Sequence, residues 1–218
     1  MDLQKDERYK RLLERYPNTK RIHGVKGIHQ AHIAAAKKCS TKMFWVIDGD
    51  ADLLPEFNLD HKVSEYDLDC VHVWRSRNPI NDLVYGYGGV KLLPRRLTMN
   101  VDVNSSDMTT SISDRFKAMP DVSNVTCFNT DEFSTWKSAF RECAKLSSKT
   151  INRQEEGETN ERLKIWTTKA NGRFCEFAIR GANAGMEFGL SDGVDLRLIN
   201  DFDWLRQRFH MDEMNDTI

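Results

Sequence analysis

The chain has 218 residues, with 32 Lys or Arg against 33 Asp or Glu and a formal net charge of −1; 39% of it is hydrophobic and 30% charged. This length supports one good-sized domain, and the composition excludes disordered, collagenous and fibrous classes. No apolar run approaches the ~20 residues of a membrane span, the opening MDLQKDERYKRLLERY lacks an apolar leader, and five scattered cysteines form no C-x-x-C pair, which together point to a cytoplasmic protein without disulfides or zinc knuckles.

Residues 3–16 mix charged and apolar groups at helical spacing and Pro17 ends the run, which predicts a first helix. Residues 21–25 predict a short strand before a turn at Gly24 and Gly27, and the Ala-rich stretch 28–38 predicts a second helix. The continuous apolar run MFWVI at 43–47 predicts a strand covered on both faces. Further strands are expected at 70–74, 90–93 and 122–128, with the polar, Ser/Thr-rich stretch 100–114 as a loop near a working surface. From Asp131 the pattern turns helical. Phe133, Trp136, Phe140, Cys143 and Leu146 recur at three- and four-residue steps as one core-facing stripe, while Lys137, Arg141, Lys145 and Lys149 follow the opposite side. Residues 155–168, 173–188 and 202–209 predict three more helices. Mixed strands and helices, then mostly helices, make an α/β fold.

Charge is unevenly spread. Residues 8–42 carry +9 and residues 48–69 carry −7, and residues 74–99 hold five basic groups against Asp82 alone. Basic patches attract nucleic acid or phosphorylated small molecules, although solvated helix faces give the same counts.

The sharpest chemical signal is Asp48-Gly49-Asp50, directly after the MFWVI strand. Ligands of open α/β sheets bind at the carboxyl ends of strands, where two carboxylates one residue apart can grip a divalent cation and a glycine admits a phosphate. A calcium loop starting at Asp48 needs Gly and Glu where Leu53 and Leu59 stand, and a phosphatase of the D-x-D-x-Thr/Val kind is opposed by Asp52. A sugar-nucleotide transferase, whose cation bridges a diphosphate, meets neither objection. The second signal is the stretch from Arg75 to Lys91. Gly86, Gly88 and Gly89, flanked by Tyr85 and Tyr87, suit close backbone approach and aromatic walls for a sugar or base, and Arg75, Arg77 and Lys91 suit phosphate oxygens; a Gly-rich hairpin turn explains the same residues. His29 and His32, three apart on the second helix, are expected to be surface or capping residues, and Trp136 and Phe140 core.

Several stretches in chain order resemble a family of bacteriophage glycosyltransferases with a GT-A-type fold that modify hydroxymethylated pyrimidines in DNA. They are RIHGVKGIHQAH (21–32), FWVIDGDAD (44–52), WRSRNPINDLVYGYGGVKLLPR (74–95), SDMTTS (106–111), CFNT (127–130), WKSAFREC (136–143) and LINDFDWL (198–205). The resemblance implies one glycosyltransferase domain over residues 1–218: a Rossmann-like mixed sheet flanked by helices, with a helical C-terminal half. The strand with which such folds usually open is expected to be missing, since the chain begins in the helix that should follow it. The implied substrates are a nucleotide-sugar, a UDP-sugar, and double-stranded phage DNA carrying modified pyrimidines, met in the infected host's cytoplasm. A divalent Mn²⁺ or Mg²⁺ would be held by Asp48 and Asp50, with His210 completing the site. Gly49, Arg75, Arg77, Asn78, Tyr85, Gly88, Gly89 and Lys91 would border the donor. Asp107, Arg141 and Glu142 are implied on the acceptor side, with Asp131 a further carboxylate at a predicted helix start. The DNA would meet residues 8–42 or the Lys137–Lys149 stripe. Competing expectations are a non-catalytic DNA- or partner-binding protein with the same fold, and a metal-dependent phosphatase.

Overall fold

The structure, a computed structural model, describes residues 4–86, 88–149 and 155–215, so Tyr87 lies outside the described residues. The chain folds as two compact units, one from residues 4–78 and 84–127 and one from residues 79–83 and 128–215.

The first unit holds a mixed, open sheet of β1 (Met43–Ile47), β2 (Ala51–Leu53), β3 (Val71–Arg77), β4 (Val84–Tyr85), β5 (Val90–Pro94) and β6 (Phe116–Thr126). The order is β1-β5-β3-β6-β2, with β4 on β3 outside that path. β3 and β6 run parallel, and the other pairs are antiparallel. The helices of this unit are α1 (Lys5–Arg15), α2 (Ile28–Lys38), α3 (Arg95–Met99) and α4 (Met108–Ser111). The whole is an α/β fold compatible with a Rossmann-like arrangement.

Strand alternation sorts the apolar residues onto two faces. Phe44, Val71, Val73 and Leu93 pack with Ala36 of α2 on one side. Trp74, Val90 and Leu92 pack with Ala51 and Phe57 on the other, where the Trp45 and Trp74 rings lie 4.6 Å apart. The MFWVI run thus feeds both faces, as its continuous apolarity predicts. It does so from an edge, however, and of its five residues Phe44 alone is fully buried.

Several expectations are corrected. Residues 21–25 form no strand, because the Arg21 carbonyl accepts from Lys38 Nζ instead of from a neighbouring strand. β6 begins at Phe116, not at 122: Pro120, which cannot donate to a ladder, is absorbed where the β3 register jumps between Trp74↔Met119 and Arg75↔Val122. β2 and β4, two short strands, were not expected, and α4 interrupts the loop at 100–114.

The helical unit consists of α5 (Glu132–Ser147), α6 (Glu156–Thr168), α7 (Cys175–Leu190) and α8 (Phe202–Asn215). Asp131 caps α5, accepting from Ser134 N–H at 2.7 Å, which assigns that carboxylate a structural task. The predicted stripe is core: Trp136, Phe140, Cys143 and Leu146 are fully buried. Against it lies α7, whose Gly181 and Gly185 leave room for the backbone of α5.

Candidate functional site

The site grows from the exit of β1. The last ladder bond, Asp48 N–H to the Gly89 carbonyl at 2.8 Å, ties the DGD turn to the glycine turn that precedes β5. Gly88 takes φ +72°, a left-handed conformation that glycine adopts without strain, and so presents its carbonyl to the Lys91 ammonium. Lys91 pairs with Val46 in the ladder and therefore points to the α2 face. There its Nζ meets both carboxylate oxygens of Asp48 at 2.9 Å. Lys91 is 2% exposed and Asp48 36%, so the pair bridges from the interior to the surface.

Asp50 stands half-buried two residues on. Burial first, and then the Asp48 charge, raise its carboxyl above the usual range. A Cβ on Gly49 would meet nothing within 4 Å, so the turn is open above the two carboxylates. The site therefore combines two acidic side chains, one buried ammonium and unobstructed approach.

α2 supplies what was not expected. His29 and His32 are neither surface nor capping residues; they are buried at 4% and 6% exposure. The Nδ1 of His32 lies 2.8 Å from the Ile28 carbonyl. Burial first, then the neighbouring Lys91 charge, push the His32 ring down to about 4, opposed by Asp48. His29 is also held low by burial, opposed by the charges of Asp102 and Asp107. A signal existed: His29, His32 and Ala36 fall at helical spacing on the buried face of α2. Also unforeseen is the buried Ser76–Asn124 pair, bonded at 2.8 Å, whose Asn124 amide limits the space beside Gly89.

A pH dependence follows. The unfolded imidazole binds its proton near 6.5 and the folded His32 near 4, so the unfolded state holds more protons between these values. Stability is therefore expected to fall as pH drops from 6.5 towards 4, by up to on the order of 3 kcal/mol for this group. His29 and His72, both lowered by burial, add in the same direction, and Asp50 opposes them. Urea midpoints at pH 7 and pH 5 should differ more in the unsubstituted protein than in His32→Gln; equal slopes would contradict the assignment.

The remaining expected residues divide between the units. Asp107 lies in the sheet unit and caps α4, its Oδ2 accepting from Thr110 N–H at 3.0 Å and from the Thr110 hydroxyl at 2.7 Å. Arg75 and Arg77 alternate outward and exposed along β3, while Asn78 and Tyr85 are buried. In the helical unit, Arg141 donates to the Ile199 carbonyl at 2.7 Å and to Asn200 Oδ1 at 2.9 Å and lies over Phe202. Glu142 is half-buried on the same helix, and His210 is exposed on α8 beside Phe209. Among the described residues, no three His, Cys, Asp or Glu side chains form a ready metal-binding group. No helix among them is long and apolar enough to cross a membrane.

Compared with known proteins, the chain matches no protein-family model, no curated protein and no solved structure.

Proposed function

We propose that the chain is a metal-dependent glycosyltransferase that moves a sugar from a UDP-sugar to a hydroxymethylated pyrimidine in phage DNA, or to a sugar already on that base. One observation carries the reading: Asp48 and Asp50 stand at the open end of β1, coupled closely enough that the charge of one raises the pKa of the other. Crowded carboxylates of this kind gain from a divalent cation, and Mn²⁺ or Mg²⁺ accepts such oxygen ligands. When bound, the cation supplies charge neutralisation to a departing diphosphate.

The chain's own groups do the rest. Lys91 fixes the Asp48 carboxylate through both oxygens, and exposed Arg75 and Arg77 offer donors to phosphate. As the acceptor oxygen attacks the anomeric carbon, its proton passes to a carboxylate, with Asp107 and Glu142 the candidates, and the bond to the diphosphate breaks with its electron pair on oxygen. For DNA, the segment 8–42 is better supported than the Lys137–Lys149 stripe. Lys10, Lys37 and Lys42 are exposed. In the stripe, Lys137 lies over the Phe133 and Phe202 rings, Arg141 is bonded to Ile199 and Asn200, and Lys149 pairs with Glu156. Such an acceptor belongs in the infected host's cytoplasm.

The Lys91–Asp48 pair favours a second reading, a non-catalytic DNA- or partner-binding protein, because a lysine already neutralises one carboxylate. Mass spectrometry of hydroxymethylated duplex DNA incubated with Mn²⁺ and a panel of sugar nucleotides separates the two. A hexose or pentose mass increment is expected, and unmodified DNA across the panel favours the binder.

A further inference from the structure

We propose that the open edge of β1 and the helix α1 form a cradle for an extended strand of a separate polypeptide, apolar in its centre and acidic at its flanks. The inference stands independently of the transferase reading.

In the antiparallel β1–β5 ladder, Asp48 N–H bonds Gly89 and the Lys42 carbonyl accepts from Arg95 N–H, so the even-numbered residues of β1 face β5. The main-chain groups of the odd-numbered residues face the other way. The Met43 carbonyl accepts from the Thr41 hydroxyl at 2.6 Å. The outward N–H and C=O groups of Trp45 and Ile47 meet no strand among the described residues, and they offer the alternating pattern that an added strand pairs with.

Opposite this edge lies α1, an amphipathic helix with no packed partner for its apolar side. Its one fully buried residue is an arginine, Arg8, and no residue of α1 belongs to either hydrophobic cluster described for the sheet unit. The helix is held by side-chain arms: Arg8 to the Gly49 carbonyl at 2.9 Å, Arg11 to Asp52 at 2.6 Å and Arg15 to the Leu54 carbonyl at 3.0 Å. Between helix and edge is a cavity of about 1480 Å³, walled by Tyr9, Leu12, Ala35, Trp45, Ile47 and Leu54. This exceeds the ~300–1,000 Å³ of small-molecule pockets, which makes a polypeptide segment the better match.

Charge selects the occupant. Seven Lys or Arg side chains line the cavity against two carboxylates. Arg15, Lys20 and Lys38 bond neutral carbonyls, which leaves their charge uncompensated. Pairing β1 with β1 of a second copy would set two cationic rims together, whereas an acidic-flanked strand is complementary to the rim. The exposed Lys10, Lys37 and Lys42 proposed for DNA lie outside the lining.

The test is panning of a random dodecapeptide library on the immobilised protein, followed by hydrogen exchange with the enriched peptides. Enriched peptides should alternate apolar residues, carry Asp or Glu at their ends and slow exchange of the Trp45 and Ile47 amides at least tenfold. Lys20→Glu/Lys38→Glu, at two exposed positions and checked for folding by circular dichroism, should shift the preference to Lys-flanked peptides. Four results would overturn the proposal: no enrichment, enriched peptides that leave both amides unprotected, unchanged flank preference in the double variant, or a dimer of this chain that protects the same amides.

Discussion

Asp50→Asn is expected to make the protein more stable and inactive at once. The folded state raises the Asp50 carboxyl through burial and the Asp48 charge. For an acid so shifted, the folded state binds the proton more tightly than the unfolded state. The penalty is absent below the unfolded value of 3.8, grows as pH rises through the folded value, and is complete at neutrality. Asparagine removes the charge at nearly the same size, so the melting temperature at pH 7 should rise while that at pH 3 stays where it was. Removing one oxygen ligand from a cation that stabilises the leaving diphosphate should lower sugar transfer by about 10²–10³-fold, the scale seen when one strong electrostatic group is lost. Asp48→Asn should reduce transfer similarly but without the gain in stability, because it leaves the buried Lys91 ammonium without its carboxylate. Turnover unchanged in both folded variants would remove the assigned site, and an unchanged Asp50→Asn melting temperature at pH 7 would remove its electrostatic basis.

The largest structural effect is expected in the helical unit. A Cβ at Gly181 would fall on the Trp136 carbonyl, and one at Gly185 on the Phe140 carbonyl. Both obstacles are backbone, which cannot rotate away as a side-chain tip can. Alanine gains about 1 kcal/mol over glycine in helix propensity, while overpacking costs about 1–3 kcal/mol per site. Trp136 and Phe140 stack at 4.7 Å in the same core, so parting the helices also loosens that stack. Gly181→Ala/Gly185→Ala should therefore lower the melting temperature by roughly 5–15 °C, read by circular dichroism. The solvent-side Gly157→Ala, where a Cβ meets nothing, should raise it slightly. A double variant as stable as the unsubstituted protein would show that the two helices do not approach as closely as described.

How far the sequence led depends on whether the signal was local. MFWVI, the Ala-rich α2 and the stripe from Phe133 to Leu146 each carry their own period, and each became the expected element. β2 and β4 are three and two residues long, too short to show alternation, and exist through their pairing with β6 and β3. Pro120 hid the first half of β6 because a local reading treats proline as an ending, whereas a bulge accommodates it. At the candidate site, Asp48 and Asp50 were visible from their spacing and the strand before them. The Lys91–Asp48 pair was not, because it joins residues 43 positions apart that only the β1–β5 register brings together. His32 was misjudged because its burial depends on what α2 packs against, although its spacing with His29 and Ala36 marked the inner face.

The transferase account turns on whether Asp48 and Asp50 together take up a divalent cation with a nucleoside diphosphate. Isothermal titration of Mn²⁺ into the protein in the presence of UDP tests this most directly. Saturable heat that requires both Mn²⁺ and UDP and disappears in Asp48→Asn and Asp50→Asn is the predicted result. The contradicting result is a folded protein that gives no such heat, or one that gives the same heat with either carboxylate replaced.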